Sequence, residues 1–449
     1  MNEGKVTLFQ TCADRAESQL VATSRAVRAR GRAELCAALA DVAGVTGCVQ
    51  RGRQWFPHPF PARMPLEVAQ RAVERFTTVG QVVLDPMSGS GTIPFAALNS
   101  MRSAIGRDID PLAVLLGRAL CETVHIKEFE AYCADVHDEA TARARRCRSL
   151  KPILRSLNDE SRRFLSYWFP DRALVEMFAL AETILEDAKN RFATIGAVIL
   201  SSLVISRGSG VSLALDLARS RPHRVESKRP RVPLQLWCEK SNAFSKFYSS
   251  RAPRTELYGA DISLGDARAL DIASSTVDVV ITSPPYVNAI DYIRTSKFAL
   301  IFFGARLDVL RDIRSRAIGT EVGLPKGELP KGLDLLVERK VADISRRPLI
   351  RRYMHDLRNT LSELIRVLKP GGPAIFVLGP SIASRKAHDS VPVLSRIALD
   401  LGFEIVGHSR RNISSVKRSL PPPNRAKRRN TIDRRMICEY YLVLRKPVA

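Results

Sequence analysis

The feature that most constrains the fold is an apolar run that stops at two consecutive prolines. Residues 277–281 are apolar with one acidic interruption, which is typical of a buried strand. Pro284 and Pro285 cannot donate ladder hydrogen bonds, so the strand must end at Ser283. A rigid loop that carries Ser283 and Tyr286 therefore follows. Open α/β sheets bind their ligands at such carboxyl ends of parallel strands, so we expect a functional site here.

A second strand-like segment, residues 81–84, leads into a glycine-rich turn that reads Asp85-Pro86-Met87-Ser88-Gly89-Ser90-Gly91-Thr92. The glycines allow a tight turn and a close approach of a ligand to the backbone. Residues 103–110 predict the next strand, which places Asp108 about 20 residues further on, where an acid can hold a ribose diol. The third glycine of a dinucleotide fingerprint is missing, so a ligand with adenosine and no pyrophosphate is favoured.

The alternation of strand and helix patterns around both loops predicts an α/β fold with a Rossmann-like, mostly parallel sheet. The sheet is expected to finish in a C-terminal antiparallel pair, residues 402–406 and 438–444. The other predicted segments are helices over 66–76, 193–205 and 353–368, and sheet segments at 257–259, 265–267 and 374–378.

The domain organisation is predicted from shifts in composition. Residues 1–55 form a helical N-terminal arm, either exposed or facing nucleic acid, and residues 56–124 form the first half of the core. A helical, basic insertion follows over 125–255. Residues 256–449 form the second half of the core, with further basic insertions at 305–350 and 410–435.

The charge balance favours a polyanionic partner. The chain has 449 residues, and its 70 Lys and Arg against 46 Asp and Glu give a net charge of +24. A merely basic protein stays an open alternative, as does a solvated surface loop at residues 219–231. The candidate nucleic-acid contacts in the basic stretches are Arg221, His223, Arg224, Lys427 and Arg428.

Several other classes of protein are disfavoured by the sequence. None of the 8 cysteines forms a C-x-x-C pair, so zinc sites and disulfide frameworks are not expected and no metal is predicted. The start of the chain lacks a basic segment followed by an apolar one, and no apolar run reaches about 18 residues. We therefore expect a cytoplasmic protein without a membrane partner.

Taken together, the two loops resemble those of S-adenosylmethionine-dependent DNA amino-methyltransferases, which modify cytosine N4 or adenine N6. Residues 85–92 look like the cofactor loop of that family, and residues 282–286, Thr-Ser-Pro-Pro-Tyr, look like its catalytic loop. Residues 58–64 are similar to the segment that covers the methionine end of the cofactor. The resemblance extends over residues 56–120 and 256–446 and implies a class I methyltransferase sheet with S-adenosylmethionine as cofactor.

The resemblance assigns roles residue by residue. Asp85, Gly89 and Gly91 would frame the amino-acid end of the cofactor, Asp108 would hold the ribose, and Asp266 would hold the adenine amine. Two departures are present: Met87 stands where an aromatic residue is usual, and the long insertion separates Asp108 from Asp266. The full set of predicted cofactor residues is Phe60, Asp85, Met87, Gly89, Gly91, Thr92, Asp108 and Asp266.

The catalytic loop suits direct transfer of a methyl group to an exocyclic amine. Its predicted catalytic residues are Ser283, Pro284, Pro285 and Tyr286, and Asn288 is a further candidate substrate contact. The serine hydroxyl and the first proline carbonyl can accept hydrogen bonds from the amine, and the tyrosine can stack on a base that has been flipped out of double-stranded DNA.

The target base and the partners are less constrained. A serine before Pro-Pro-Tyr favours cytosine N4, whereas adenine N6 in DNA and guanine N2 in tRNA remain alternatives, as does a non-enzymatic nucleic-acid-binding protein. A restriction endonuclease or another defence partner is compatible with the resemblance.

Overall fold

A computed structural model describes residues 31–45, 56–60, 63–206, 210–215, 217, 222–252, 257–285, 291–320, 347–379, 391–413 and 438–448. The chain builds a seven-stranded sheet in the order β3-β2-β1-β4-β5-β7-β6. The strands are β1 Val82–Asp85, β2 Ser103–Asp108, β3 Ala260–Leu264, β4 Val279–Thr282, β5 Pro373–Leu378, β6 Glu404–Asn412 and β7 Cys438–Arg445. β7 is antiparallel to both of its neighbours and the other pairings are parallel. This is the Rossmann-like arrangement that the sequence predicts.

The described helices are α1 Arg32–Ala43, α2 Leu66–Phe76, α3 Thr92–Asn99, α4 Pro111–Cys121, α5 Ile126–Arg146, α6 Lys151–Arg155, α7 Asp159–Trp168, α8 Asp171–Glu186, α9 Ala193–Val204, α10 Pro233–Ser249, α11 Tyr292–Leu300, α12 Leu307–Arg316, α13 Arg347–Val367 and α14 Val391–Asp400. A short 3-10 helix, Ile301–Phe303, continues α11. The predicted helix over residues 66–76 is confirmed with the same bounds, and the buried helix predicted near residue 193 is confirmed as α9. None of the helices described here is both long and apolar enough to cross a membrane.

The sheet is covered on both faces because its central strands are apolar throughout. Val83 and Ile281 pack with α1, α2 and α3 on one face. Leu84 and Val280 pack with α13 and α14 on the other. Neighbouring residues of a strand point to opposite faces, so a continuous apolar run is what a strand buried on both sides requires.

The insertion between β2 and β3 is helical, as expected, and it is joined to the rest of the fold. Its helices α5, α7, α8, α9 and α10 share one apolar core with α4 and α11, and these last two helices start beside the carboxyl ends of β2 and β4. The chain then returns to the sheet at β3. There the buried guanidinium of Arg107 in β2 bonds Asp261 and Asp271, each at 2.7 Å.

Four expectations from the sequence require correction. Residues 257–259 and 265–267 flank a single strand, β3, rather than forming two sheet segments. Arg410 and Arg411 lie in β6 and not in the basic loop. A strand at the sheet edge tolerates the exposed charge of Arg410, and the Arg411 guanidinium pairs with Glu439 of β7. The insertion expected over 305–350 contains α12 and the first residues of α13. The described part of the N-terminal arm is helical, but it packs on the sheet and is not wholly exposed. Its residues Leu35, Leu39 and Val42, in α1, are buried there.

Candidate active site

The glycine-rich turn after β1 is shaped by two residues with positive φ. Gly89 has a φ of +50° and Gly91 a φ of +82°, a region that suits glycine. Gly91 is also the N-cap of α3, and a Cβ added there would lie 2.6 Å from the Cα of Gly117 in α4. Thr92 begins the helix and is buried. The turn therefore brings backbone N–H groups to the edge of the sheet next to α4.

Asp108, at the end of β2, is tied to this turn. Its Oδ2 accepts a hydrogen bond from the Gly89 amide at 2.8 Å, and its Oδ1 accepts one from the Asp110 amide at 2.9 Å. Burial raises the pKa of the Asp108 carboxyl, and the backbone donors only partly offset it. The carboxyl that the sequence assigns to ribose binding thus also fixes the conformation of the glycine turn.

Asp110 is a second buried acid in the same place. It caps α4 by accepting from the Leu112 amide at 2.9 Å, and it accepts from the hydroxyl of Ser296 in α11 at 2.6 Å. Burial, reinforced by the nearby Asp108, raises its pKa to about 7. The cofactor edge of the sheet is therefore connected directly to the helix that follows the catalytic loop.

Asp85 joins the two predicted loops. Its buried carboxylate accepts a hydrogen bond from the hydroxyl of Thr282, the first residue of the catalytic loop, at 2.7 Å, and another from the Met87 amide at 3.2 Å. Burial raises its pKa to about 7, Asp108 raises it further, and the two hydrogen bonds lower it. β1 and β4 are adjacent, and this bond links the ends of the two strands where the loops begin.

Ser283 is half-buried at the end of β4. Its hydroxyl donates to the carbonyl of Val377 in the neighbouring strand β5 at 3.1 Å. Because the proton of the hydroxyl is used in that bond, the lone pairs of Oγ are the part that can act on a substrate. Pro284 is buried and Pro285 is half-buried, while Tyr286 and Asn288 lie outside the described residues.

An aromatic pair covers the glycine turn. Phe60 lies above Gly89, with its Cε1 3.8 Å from the position of an added Cβ. Its ring stacks on that of Tyr292 at 5.5 Å between centroids and 15° between planes. His58 is buried beside it and lies 3.0 Å from the hydroxyl of Ser201 in α9. The segment before α2 therefore lies over the cofactor edge and contacts the insertion.

Two other predicted cofactor residues occupy different surroundings. Asp266 follows β3 and forms an ion pair with Arg268 at 2.7 Å. Burial raises the pKa of Asp266, but the hydrogen bonds from Arg268 outweigh burial and hold this pKa below its usual value. Met87 is half-buried and packs against the apolar core beneath the sheet.

The predicted substrate contacts are only partly within the described residues. His223 and Arg224 are exposed and belong to a short hairpin, in which the Leu215 amide donates to the His223 carbonyl and the Val225 amide to the Leu213 carbonyl. Arg221, Lys427 and Arg428 lie outside the described residues. The hairpin was not predicted, because the sequence shows only a dense basic run there.

Three residues with a place at this site were missed by the sequence reasoning. Thr282 was included in the motif without a role of its own, although its position next to Ser283 was a usable signal. Tyr292 and Ser296 carry no motif, and their partners Phe60 and Asp110 are far away in the chain. Within the described residues, no cluster of three or more His, Cys, Asp or Glu side chains could hold a metal ion.

Comparison with known proteins agrees with this geometry. Residues 42–116 match the N6_N4_Mtase family, described as DNA methylase. The Type II methyltransferase M.BsoBI of Geobacillus stearothermophilus is 28% identical over 169 residues. Part of this chain is therefore similar to DNA methylases. S-adenosylmethionine is the cofactor of that family, as the sequence predicted.

These similarities are partial. The match to M.BsoBI covers 30% of this chain and 32% of that protein. The Type II methyltransferase M.AvaI of Nostoc sp. is 29% identical over 150 residues, 28% of this chain and 31% of that protein. The chain therefore matches about a third of the length of these Type II methyltransferases.

Among solved structures, the comparison finds a SAM-dependent methyltransferase from Methanosarcina mazei. It is 10% identical with a TM-score of 0.31, and the match covers 84% of this chain and 97% of that one. A TehB-like SAM-dependent methyltransferase from Corynebacterium glutamicum is 8% identical with a TM-score of 0.28, covering 93% and 97%.

Proposed function

We propose that this protein is an S-adenosylmethionine-dependent DNA amino-methyltransferase. The observation that carries the proposal is the 2.7 Å hydrogen bond between Thr282 and Asp85. It joins a glycine-rich turn suited to the cofactor with a Ser-Pro-Pro loop suited to an amine, at the ends of two adjacent parallel strands. Open α/β sheets bind their ligands at such strand ends.

The charge of the site supports a cationic cofactor. Asp85, Asp108 and Asp110 are close together and burial raises the pKa of all three carboxyls. S-adenosylmethionine carries a positive sulfonium and a positive ammonium, which would stabilise ionised carboxylates here. A Cβ added at Gly89 would meet only the Phe60 ring, at 3.8 Å, so the turn is open to a ligand there and Phe60 covers it.

The residues of the catalytic loop then position and polarise the amine. When bound, the cofactor supplies an electrophilic methyl group. Ser283 Oγ, whose proton bonds Val377, and the Pro284 carbonyl accept hydrogen bonds from the amine and localise its lone pair toward the methyl. The two prolines keep these acceptors rigid, and Tyr286 stacks on the base, which must be flipped out of the duplex to reach them.

The target base that we favour is cytosine, modified at N4, because a serine precedes the Pro-Pro-Tyr segment. A hydroxyl is chemically adequate for an adenine amine too, so adenine N6 is the second candidate. Guanine N2 in tRNA is the third. We further propose double-stranded DNA as substrate, a cytoplasmic location and a restriction endonuclease or defence partner, by analogy with the Type II methyltransferases that it resembles.

Transfer of a labelled methyl group tests the proposal directly. Purified protein is incubated with labelled S-adenosylmethionine and either DNA or tRNA, and digested nucleosides are separated by mass. We expect N4-methylcytosine in DNA. Detection of N6-methyladenine would instead support adenine N6 as the target. Label in tRNA alone would overturn the proposal. Sequencing of host DNA with and without the protein, by a method that detects methylation, would then give the sequence context.

A serine variant tests the catalytic loop. Ser283→Ala should lower the rate about 100-fold or more, the usual cost of removing one preorganised hydrogen-bonding group, with little change in cofactor affinity. Ser249→Ala, at the exposed end of α10, loses a hydroxyl in a local bond to the Ser245 carbonyl and serves as the matched control. Full activity in Ser283→Ala would contradict the role given to this residue.

A further inference from the structure

A second group of side chains lies on the insertion, outside the catalytic and cofactor loops. We call it the aromatic–cation cluster, and it consists of Phe164, Tyr167, Trp168, Arg224, Lys297 and Phe298. The Trp168 ring makes edge contacts with Tyr167 at 5.0 Å and with Phe298 at 5.1 Å, and Phe164 meets Phe298 at 4.8 Å. The cluster therefore connects α7 of the insertion with α11.

Two cations lie on this aromatic surface. The Arg224 guanidinium is 4.9 Å from the centroid of the Tyr167 ring, and the Lys297 ammonium is 5.1 Å from that of Phe164. Tyr167 remains 50% exposed, so part of this residue faces solvent. A half-exposed tyrosine beside an arginine is a platform on which a nucleobase can stack.

Lys297 has a charge that its neighbours do not balance. Among the described residues no carboxylate lies within ion-pair distance of it, and the adjacent Asp291 is bound to Arg314 at 2.5 Å. Burial first, and then Arg314 and Arg294, lower the pKa of Lys297, although Asp291 and Glu160 oppose this. A half-buried ammonium with no ion-pair partner among these residues would be stabilised by an anion.

The cluster is connected to the cofactor edge of the sheet through α11, because Ser296 of that helix donates to Asp110 at 2.6 Å. α11 begins at Tyr292, six residues after Tyr286, and carries Lys297 and Phe298. The hairpin that holds Arg224 is attached to the same helix, since the Thr295 hydroxyl donates to the Leu217 carbonyl at 3.3 Å. The Leu213 amide of the hairpin also donates to the Trp168 carbonyl at 2.7 Å.

We infer that the aromatic–cation cluster is a DNA-contacting surface that holds the strand next to the flipped base. Lys297 and Arg224 bind phosphates, and Tyr167 stacks on a base beside the target. The inference rests on the proposed function and goes beyond it, because it assigns strand binding to α7, α11 and the hairpin rather than to the catalytic loop.

Affinity for DNA tests the inference. The probe is a short fluorescent duplex of mixed sequence, titrated at several salt concentrations. Tyr167→Ala should weaken binding about tenfold, in the range that base–aromatic stacking contributes, and should raise the KM for DNA by a similar factor. Tyr167→Phe keeps the ring and should restore most of the affinity. Lys297→Gln should reduce the slope of log K against log salt by about the amount that one phosphate contact contributes.

The controls separate this inference from the proposed function. Lys127→Gln, at an exposed position of α5, removes the same charge and should leave the salt slope unchanged. The Kd for S-adenosylmethionine and the melting temperature report whether each variant folds. If the wild type methylates DNA but Tyr167→Ala and Lys297→Gln bind it normally, this inference alone is overturned. If the wild type binds no DNA, or only tRNA, the inference and the proposed function are both overturned.

Discussion

The hydrogen bond between Thr282 and Asp85 allows a quantitative prediction about cofactor binding. Thr282→Val removes the hydroxyl and keeps the shape of the side chain, so it deletes the 2.7 Å hydrogen bond without opening a cavity. A hydrogen bond to a charged group contributes about 1.5–3 kcal/mol. Asp85 has a pKa of about 7, and the Thr282 hydroxyl is one of the groups that keep it that low.

The consequence is a shift in the pH dependence of binding. A change of one pKa unit corresponds to about 1.4 kcal/mol, so losing the bond should raise the pKa of Asp85 by about one to two units. If the ionised carboxylate binds the cationic cofactor, affinity increases with pH up to the pKa of free Asp85 and is constant above it. That breakpoint should lie near pH 7 in the wild type and one to two units higher in Thr282→Val.

Calorimetric titration with S-adenosylmethionine across this pH range measures the breakpoint. Thr276→Val is a matched control, because its hydroxyl donates to the Ala273 carbonyl in an exposed turn before β4. Equal breakpoints in the wild type and Thr282→Val would refute the reasoning, as would a wild-type affinity that does not change with pH. Asp108, the nearest other acid, is present in both proteins, so its titration does not produce a difference between them.

Three further predictions concern the same edge of the sheet. Gly91→Ala should lower the free energy of unfolding by more than Gly80→Ala, as measured with urea; both have a φ above +80°, which costs about 1–2 kcal/mol, but only Gly91 would also clash. Asp110→Asn should raise the melting temperature at pH 8 and not at pH 4. Burial raises the pKa of Asp110 from its ordinary value of 3.8 to about 7, so the folded wild type loses stability as the pH rises between these two values. A lower melting temperature for Asp110→Asn than for the wild type at pH 8 would refute this. Asp266→Ala should weaken cofactor binding about tenfold, the cost of one hydrogen bond to a charged group, and an unchanged Kd would exclude the predicted adenine contact.

The sequence was sufficient where local rules decide the structure. The buried strand at β4 follows from its apolar run and the two prolines, and the glycine turn follows from residues that must adopt positive φ. The bounds of α2 follow from apolar residues at helical spacing. The fold class could be predicted because these segments alternate along the chain, and the sheet order agrees with it.

The connections between distant segments could not be predicted. Tyr292 and Ser296 reach the cofactor edge because α11 packs against α4, and no local pattern indicates that contact. The hairpin near His223 is joined to α7 by a hydrogen bond from the Leu213 amide to the Trp168 carbonyl, again a long-range contact. Arg411 was wrongly expected in a loop because the sequence does not reveal its buried partner Glu439, 2.7 Å away in β7.

The strand order also determines when the protein can finish folding. β1 lies between β2 and β4, and its register pairs Val83 with Val279. During synthesis at about 5–20 residues per second, one edge of β1 therefore has no native partner for roughly 10–40 seconds after it is made. A nascent chain in that interval exposes an apolar strand edge, the kind of surface that aggregates or recruits chaperones. Slower translation through residues 125–255 should lengthen this interval and reduce the yield of folded protein.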